Sequence, residues 1–407
     1  MSNRIICDVD TPDPWIVAGN GMFYFTFTLD NRVEIWCSHT LENFHHCQKA
    51  VVWQPAPGTP WSVNIWAPEL HLLNGTWYIY TCGALPGVGN PGHRTTLLRS
   101  SSRDPMDASA WEFLGPLRGM PDQWSIDATV FTTNGRDLYC CWSGWPIGDS
   151  SDTQQDLFLI RLKTPEEAVP DTLVCVSRAQ LPWERPDSGR RGVNEGPTWV
   201  DVPGAFRGIV FSADGSWTSD YKLGLLALAG PDPLDASCWA KRTTPLLVSH
   251  KRCGGPYGPG HASFLPNPRA AGRVYCVYHA TAAYGEGWAN RKARVIDLGA
   301  ECFGPHAHSV CCALENHVPK HHSHGSGGGG DGGGGGKSKR ASSCIVSVVQ
   351  KTKPRQEHPD TSYTASHLAL TLYSSTPAAE TAGPSTDGPM SVGHAGTGRR
   401  RKTNQWT

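Results

Sequence analysis

An internal repeat within residues 1–305 constrains the fold more than any other feature of the sequence. In each unit, a short segment with a polar residue leads through a turn into a β-forming run. The polar segments are TPDPWIV, IWAPELH, SIDATVF, NEGPTWV and GPGHASF. Their anchor residues, spaced by 54, 60, 68 and 66 positions, are Asp13, Ala67, Asp127, Glu195 and His261. Several short strands per unit predict an all-β fold, a five-bladed β-propeller.

Two further observations support this prediction. Residues 104–111 read DPMDASAW and residues 232–239 read DPLDASCW, which indicates duplication of a structural unit. The 45 Gly, 32 Pro and 16 Trp residues suit many short strands joined by tight turns better than long helices.

The repeat ends near residue 305, and the composition then changes. Residues 306–407 contain Gly-rich runs followed by Ser, Thr, Pro and a basic end. Such a composition buries too little apolar surface to offset the entropy of ordering the chain. We therefore predict a catalytic propeller domain over 1–305 and a disordered, low-complexity tail over 306–407.

Charge and apolar patterning exclude several classes of protein. The formal net charge is zero, so neither a nucleic acid nor a membrane surface is expected as a partner. No apolar run approaches the roughly 20 residues that span a bilayer. Residues 1–11 lack an apolar stretch of signal-peptide length, which predicts a cytoplasmic location if the chain begins at Met1.

In a propeller, the innermost strands line a central axis, so acids far apart in sequence converge there. The anchors Asp13, Asp127 and Glu195 are acidic, and His261 is the anchor of the fifth unit. Crowded carboxylates raise the pKa of at least one member, leaving a protonated acid beside ionised partners. Glycoside hydrolysis requires this pairing. Glu69 lies two residues from its anchor, in either a structural or a substrate-contacting role.

Aromatic residues form a second layer around these segments. Trp15, Trp66 and Trp124 are candidates for contact with a sugar, whose C–H faces pack on aromatic rings. Because an acid-lined axis attracts a cation, His261 is also a candidate for holding a structural calcium ion, directly or through water, besides contacting substrate.

The motifs DPW, WAPELH, SIDATVF, NEGP and YGPGHASF, in this order over residues 8–305, closely resemble glycoside hydrolase family 43. The resemblance implies a five-bladed propeller and hydrolysis with inversion. It also implies that Asp13 is the general base, Glu195 the general acid, and Asp127 the carboxylate that raises the pKa of the acid and orients it. His261 matches the position that helps to hold a calcium ion or its water shell.

The resemblance leaves the substrate open between arabinose- and xylose-containing polysaccharides. An α-L-arabinofuranosidase is preferred; a β-xylosidase and an endo-arabinanase of the same family are the alternatives. Two non-enzymatic alternatives are a carbohydrate-binding propeller and a structural propeller with the tail as a binding arm. We expect a monomer that acts on a carbohydrate and requires no cofactor.

Overall fold

The computed structural model describes residues 3–251 and 254–312, which form an all-β structure without α-helices. Short 3-10 segments occur between strands, at Asn90–Gly92, Ala108–Ala110, Pro170–Thr172, Pro182–Glu184, Asp187–Gly189, Ala236–Cys238 and Ala300–Phe303. In this part of the chain, no helix is long and apolar enough to pass through a bilayer. The all-β prediction is therefore confirmed.

The first two strand groups are four-stranded antiparallel sheets. The strands of this part are β1 (Arg4–Ile5), β2 (Trp15–Gly19), β3 (Met22–Thr26), β4 (Val33–Ser38), β5 (Gln48–Trp53), β6 (Val63–Leu73), β7 (Thr76–Ala84), β8 (Arg94–Ser100) and β9 (Trp111–Pro116). The first group has the order β2-β3-β4-β5 and the second β6-β7-β8-β9. The hairpins β2–β3 and β6–β7 turn at Asn20 and Gly21 and at Asn74 and Gly75, which all have positive φ. This conformation is typical of the two-residue hairpin turn that Asn-Gly prefers.

The next two strand groups are joined into one sheet. The remaining strands are β10 (Ser125–Thr132), β11 (Leu138–Gly144), β12 (Gln154–Thr164), β13 (Glu167–Ala168), β14 (Val174–Ser177), β15 (Gly192–Val202), β16 (Phe206–Ala213), β17 (Lys222–Leu228), β18 (Trp239–Lys241), β19 (Leu247–Ser249), β20 (Tyr257–Pro266), β21 (Arg273–Thr281), β22 (Lys292–Gly299) and β23 (Val310–Cys312). Strands β10 to β14 form the third group, and β15 to β19 form the fourth. A short parallel pairing of β12 with β15 links them into an eleven-stranded sheet that includes β23.

The fifth strand group is completed by the beginning of the chain. Its order is β1-β22-β21-β20, and Arg4 lies opposite Val295 in the antiparallel pairing of β1 with β22. The Tyr278 hydroxyl donates a hydrogen bond to Asn3 Oδ1 at 2.8 Å. A segment from the start of the chain therefore belongs to the same sheet as residues near 300.

The two copies of the duplicated phrase adopt the same turn. Asp107 and Asp235 each accept a hydrogen bond from the backbone N–H two residues later, at 3.1 and 2.8 Å. Each turn then leads into an outer strand, which begins at Trp111 in the second group and at Trp239 in the fourth. The duplication inferred from the sequence thus extends to backbone conformation.

The first strands of the five groups contact one another in order. Strand β2 packs against β6, β6 against β10, β10 against β15, β15 against β20, and β20 against β2. Buried apolar side chains of consecutive groups share core clusters, and the fifth group shares one with the first. Within the described residues, no hydrogen-bonded sheet closes on itself. The candidate site lies at the beginnings of these five strands.

Ordered structure continues past residue 305, at which the sequence analysis places the domain boundary. Strand β23 pairs in parallel with β19, and Cys312 is fully buried. The described strands therefore extend at least to residue 312, and the predicted domain boundary at 305 stays a prediction. The rest of the predicted tail lies outside the described residues.

Candidate active site

Asp13, Asp127 and His261, predicted from three different repeat units, meet at one point. His261 Nδ1 lies 3.2 Å from Asp13 Oδ1 and 3.9 Å from Asp127 Oδ2. These two carboxylate oxygens are therefore at most about 7 Å apart. Because the three side chains are only 6–14% exposed, their charges act on one another with little screening by water.

Four of the five anchor residues have a left-handed backbone. The angle φ is 56° at Asp13, 44° at Ala67, 56° at Asp127 and 46° at His261. This conformation costs roughly 1–2 kcal/mol for a residue with a Cβ, and Asp and His tolerate it better than most. At Ala67, Asp127 and His261 the pairing with the next strand also shifts register. Such bulges re-aim a side chain and occur often beside active sites.

Glu195 departs from this pattern by one residue. In the fourth group the register shift lies between Glu195 and Thr198, and the left-handed residue is Gly196, with a φ of 53°. Gly196 is therefore the structural counterpart of Asp127, and Glu195 is the counterpart of Ile126. The sequence anchor chosen at Glu195 stands one position too early.

The backbone at these positions connects each strand group to the preceding one. At four of these positions the backbone N–H donates a hydrogen bond to a side chain of the preceding group. Asp13 donates to His279 Nδ1 at 3.0 Å and Ala67 to Thr28 Oγ1 at 2.7 Å. Gly196 donates to Asp127 Oδ2 at 2.9 Å and His261 to Ser212 Oγ at 2.7 Å. A backbone hydrogen bond of Asp127 to the Cys82 thiol makes the corresponding connection between the third and second groups. The strain at each position is thus matched by a specific hydrogen bond.

Asp13 is held as a carboxylate. Thr28 Oγ1 donates to Asp13 Oδ2 at 2.6 Å, and Arg291 Nη1 lies 3.7 Å from Asp13 Oδ1. Burial alone would raise the pKa of Asp13. The charge and hydrogen bond of His261 and the charge of Arg291 outweigh burial and lower the pKa of this carboxyl well below its ordinary value.

Glu195 is driven in the opposite direction. Burial, followed by the negative charge of Asp127, raises the pKa of Glu195 to about 7. Hydrogen bonds from Tyr221 and Gln155 oppose this rise, and Gln155 Nε2 donates to Glu195 Oε2 at 3.0 Å. Near neutral pH, Glu195 can therefore carry a proton while Asp13 does not.

Asp127 and His261 interact electrostatically with one or both of these groups. Burial would lower the pKa of His261, but the negative charges of Asp127 and Asp13 raise it to about 9, so the ring is a cation at neutral pH. Burial raises the pKa of Asp127, and the charge of Asp13 adds to the rise; His261 and the Gly196 N–H oppose it.

Glu69 forms a buried pair with His71 beside the cluster. Glu69 Oε2 lies 2.8 Å from His71 Nε2, and the residues are only 2% and 9% exposed. Burial raises the pKa of Glu69 well above its ordinary value and lowers the pKa of His71 to about 3. The Glu69 carboxyl thus has a hydrogen-bonding partner within the protein, and its structural and substrate-contacting roles both stay predictions.

The three predicted tryptophans lie near the cluster in different environments. Trp124 is 4% exposed and stacks on Trp145 with ring centroids 4.9 Å apart. Trp66 is half-buried and stacks on His93 at 4.1 Å. Trp15 is half-buried and tilts over His71 at 4.8 Å. Trp124 therefore contributes mainly to packing beside β10, whereas Trp66 and Trp15 keep part of their surface exposed.

A sequence model of the family described as glycosyl hydrolases family 43 matches residues 2–298. The chain belongs to glycosyl hydrolase family 43. The match includes all three acids and His261, and the family resemblance seen in the sequence motifs is confirmed.

Relatives within family 43 carry related names. The chain is 31% identical over 271 residues to alpha-L-arabinofuranosidase 43 of Humicola insolens, covering 66% of this chain and 54% of that protein. It is 31% identical over 264 residues to the extracellular exo-alpha-(1->5)-L-arabinofuranosidase of Streptomyces chartreusis, covering 64% and 76%. The chain thus spans about half the length of the first relative and three quarters of the second.

A solved structure of similar fold is the alpha-L-arabinofuranosidase from Lactobacillus brevis. It is 27% identical, with a TM-score of 0.63, and the match covers 70% of this chain and 90% of that one.

The calcium ion expected near His261 stays a prediction for this family 43 site. The His261 Nδ1 lies within hydrogen-bonding distance of Asp13 Oδ1, at 3.2 Å. Across 3–251 and 254–312, no group of three or more His, Cys, Asp or Glu side chains is arranged to hold a metal ion.

Sequence reasoning missed four side chains of this family 43 site: Gln155, Tyr221, His279 and Arg291. They lie on or beside second and third strands of their groups, which the motif search did not address. None of the four lies in one of the five polar segments, so the repeat carried no signal for them.

Proposed function

We propose that this family 43 chain is an α-L-arabinofuranosidase that hydrolyses its substrate with inversion. Asp13 is the general base, Glu195 the general acid, and Asp127 the carboxylate that raises the pKa of the acid. One observation carries the proposal: the site lowers the pKa of Asp13 and raises that of Glu195 to about 7. Pairs of acids driven apart in pKa are the signature of acid and base roles.

The proposed reaction is a single displacement. The Asp13 carboxylate removes a proton from water, whose oxygen attacks the anomeric carbon. Glu195 gives its proton to the glycosidic oxygen as the bond to that carbon breaks, and the configuration inverts. The protonated ring of His261 and the Arg291 guanidinium keep Asp13 ionised until the water proton arrives. These two groups supply positive charge beside the base.

We also propose that the five strand groups are the blades of a propeller. The ring of contacts among β2, β6, β10, β15 and β20 supports this arrangement, as do the core clusters shared between consecutive groups. The backbone hydrogen bonds at the left-handed positions, each directed to the preceding group, favour it further.

The substrate rests on the named relatives and on the aromatic side chains. Both relatives described above are arabinofuranosidases by name. We propose that the exposed parts of Trp66 and Trp15 contact the bound sugar. A β-xyloside is the alternative substrate within the family, and the assay below compares the two directly.

The test measures hydrolysis of 4-nitrophenyl α-L-arabinofuranoside, the matching β-D-xyloside and α-1,5-linked arabinobiose. Asp13→Asn should lose about 10²-fold to 10⁴-fold in kcat on all accepted substrates, because attack always needs the base. Glu195→Gln should lose more on arabinobiose than on the nitrophenyl glycoside, because nitrophenolate leaves without a proton. Glu112→Gln and Asp122→Asn, at exposed surface positions, are the matched controls.

Proton NMR of the first product tests inversion. The product should have the anomeric configuration opposite to that of the substrate. Retention of configuration, or full activity of Asp13→Asn, would contradict the assigned roles. Hydrolysis of only the xyloside would identify a β-xylosidase, and a wild type that binds oligosaccharides without cleaving them would identify a carbohydrate-binding protein.

A further inference from the structure

Two tryptophans outside the acid cluster form an exposed aromatic pair. Trp288, in the loop between β21 and β22, is 63% exposed. Trp217, in the loop between β16 and β17, is half-buried. Their ring centroids are 6.2 Å apart and their planes make an angle of 75°. Exposing a large aromatic surface is unfavourable in water, so this pair calls for a function.

The pair is held in place by specific contacts. The Trp288 indole N–H donates to Ser216 Oγ at 3.1 Å, which joins the two loops. The Trp217 ring lies so close over Gly215 that any side chain there would collide with it. The Arg191 guanidinium carbon lies 5.4 Å from the Trp217 ring centroid. The two rings are therefore preorganised, which lowers the entropy cost of binding a ligand.

Each loop also ends at a residue that contacts a proposed catalytic carboxyl. Arg291 Nε donates to the Trp288 carbonyl oxygen at 3.0 Å, while Arg291 Nη1 lies 3.7 Å from Asp13 Oδ1. Tyr221, at the end of the other loop, hydrogen-bonds to Glu195. Chain length alone keeps Trp288 Cα within about 11 Å of Arg291 Cα, and Trp217 Cα within about 14 Å of Tyr221 Cα. A short oligosaccharide that starts at the acids can span these distances.

We propose that Trp217 and Trp288 form a subsite for sugar units beyond the bond that is cleaved. The ligand is an α-1,5-linked arabino-oligosaccharide, whose C–H faces pack on the two rings while Arg191 lies within reach of its hydroxyl groups. The inference rests on the proposed function, because it places the reducing side of the same substrate. If the two rings bind these sugar units, they determine the preference of the enzyme for long arabino-oligosaccharides over short ones.

The test compares kcat/KM for arabinohexaose with kcat/KM for arabinobiose in the 407-residue chain. Trp288→Ala should lower the ratio of the two about tenfold, and Trp217→Ala should lower it in the same direction. Trp288→Phe retains a ring and should restore most of the ratio. Val51→Ala, an exposed apolar position on the outer strand β5, is the matched control and should leave the ratio unchanged.

Binding is measured separately in the Glu195→Gln background, with arabinohexaose and xylohexaose as probes. Trp288→Ala should raise the Kd for arabinohexaose about tenfold. Equal losses on both chain lengths would mean that Trp288 only supports Arg291, and would overturn the subsite. Suppose that the wild type cleaves arabinobiose but Trp288→Ala has the same ratio of kcat/KM for arabinohexaose to kcat/KM for arabinobiose as the wild type. This result overturns the subsite and leaves the proposed function intact. In a third outcome, the wild type cleaves no arabinoside and binds either xylohexaose alone or neither of the two probes. This outcome overturns the proposed function and the arabinan subsite together.

Discussion

At the scale of single residues, the site separates two chemically similar carboxyl groups by their neighbours. Asp13 lies beside the cations of His261 and Arg291, whereas Glu195 lies beside the anion of Asp127. Both acids are buried, so these charges act in a medium of low polarity and their effects on pKa are large. The chemical difference between the acid and the base therefore comes from the surrounding ring of residues.

This separation predicts a plateau of activity from mildly acidic to neutral pH. Glu195 must carry its proton to act, so kcat/KM should fall as pH rises through about 7. Asp13 must be ionised, and its lowered pKa places the acidic loss below the ordinary Asp value of about 4. A pH–rate profile on arabinobiose checks both limbs. If the alkaline limb persists in the residual activity of Glu195→Gln, another group is responsible for it.

Gln155 is predicted to position Glu195 and to adjust its pKa. Its Nε2 donates to Glu195 Oε2 at 3.0 Å, so Gln155→Leu removes a hydrogen bond that stabilises the ionised acid. The pKa of Glu195 should then rise, moving the alkaline limb upward by about one pH unit, while kcat falls severalfold. The exposed Gln48→Leu on β5 is the control. An unshifted limb with reduced kcat would leave Gln155 with a purely structural role.

The sequence was sufficient to select the candidate acids but not the side chains around them. Asp13, Asp127 and His261 could be selected because a polar residue recurs at the start of successive repeat units, and the structure gives each of them a left-handed backbone. Glu195 was found one residue out of phase, since glycine takes the left-handed position in its unit. Arg291 could not be found, because its approach to Asp13 depends on the path of a loop and not on any repeat.

At the scale of elements, close approach between two strand groups requires a glycine. Gly260, at the bulge in β20, lies directly under the Tyr221 ring, and a Cβ at this position would overlap that ring. Tyr221 in turn stacks on His279, with centroids 5.7 Å apart. The glycine therefore allows the fourth and fifth groups to approach closely enough for Tyr221 to reach Glu195.

Gly260→Ala should consequently lower the free energy of unfolding by about 1–3 kcal/mol, and activity about tenfold, by displacing the Tyr221 ring. Denaturant unfolding and kcat/KM on arabinobiose measure the two effects. Gly304→Ala is the control, since its nearest neighbour is a methyl group at 4.0 Å. The cost of Gly260→Ala should shrink in a Tyr221→Ala background. An equal cost in both backgrounds would assign the strain to the backbone instead.

At the scale of the whole molecule, the described structure reaches beyond the sequence repeat. The last strand, β23, pairs with β19, and Val310 donates its N–H to the Leu246 carbonyl at 2.7 Å. This strand carries no catalytic motif and follows the composition change at 305, so the sequence offered no signal for it. Its buried Cys312 joins the core cluster shared by the fourth and fifth groups.

Two shortened chains test the contribution of β23. A chain that ends after Cys312 should keep the thermal stability of the full chain, as the predicted disorder of the tail requires. A chain that ends after Ser309 should lose about 2 kcal/mol or more, because Val310 and Cys312 no longer bury their apolar surface. Thermal unfolding compares the two, with activity at low temperature as the check on folding. Equal stability would mean that β23 contributes nothing measurable.

The pairing of β1 with β22 also has a consequence for how the protein is made. Val295 is synthesised about 290 residues after its partner Arg4. At roughly 5–20 residues per second, the first strand waits about 15 to 60 s for that partner. The Ile6 N–H, which donates to the Ala293 carbonyl at 3.0 Å in the folded protein, lacks this partner during the interval, so the edge of the first segment stays open to chaperones until translation has passed the fifth repeat.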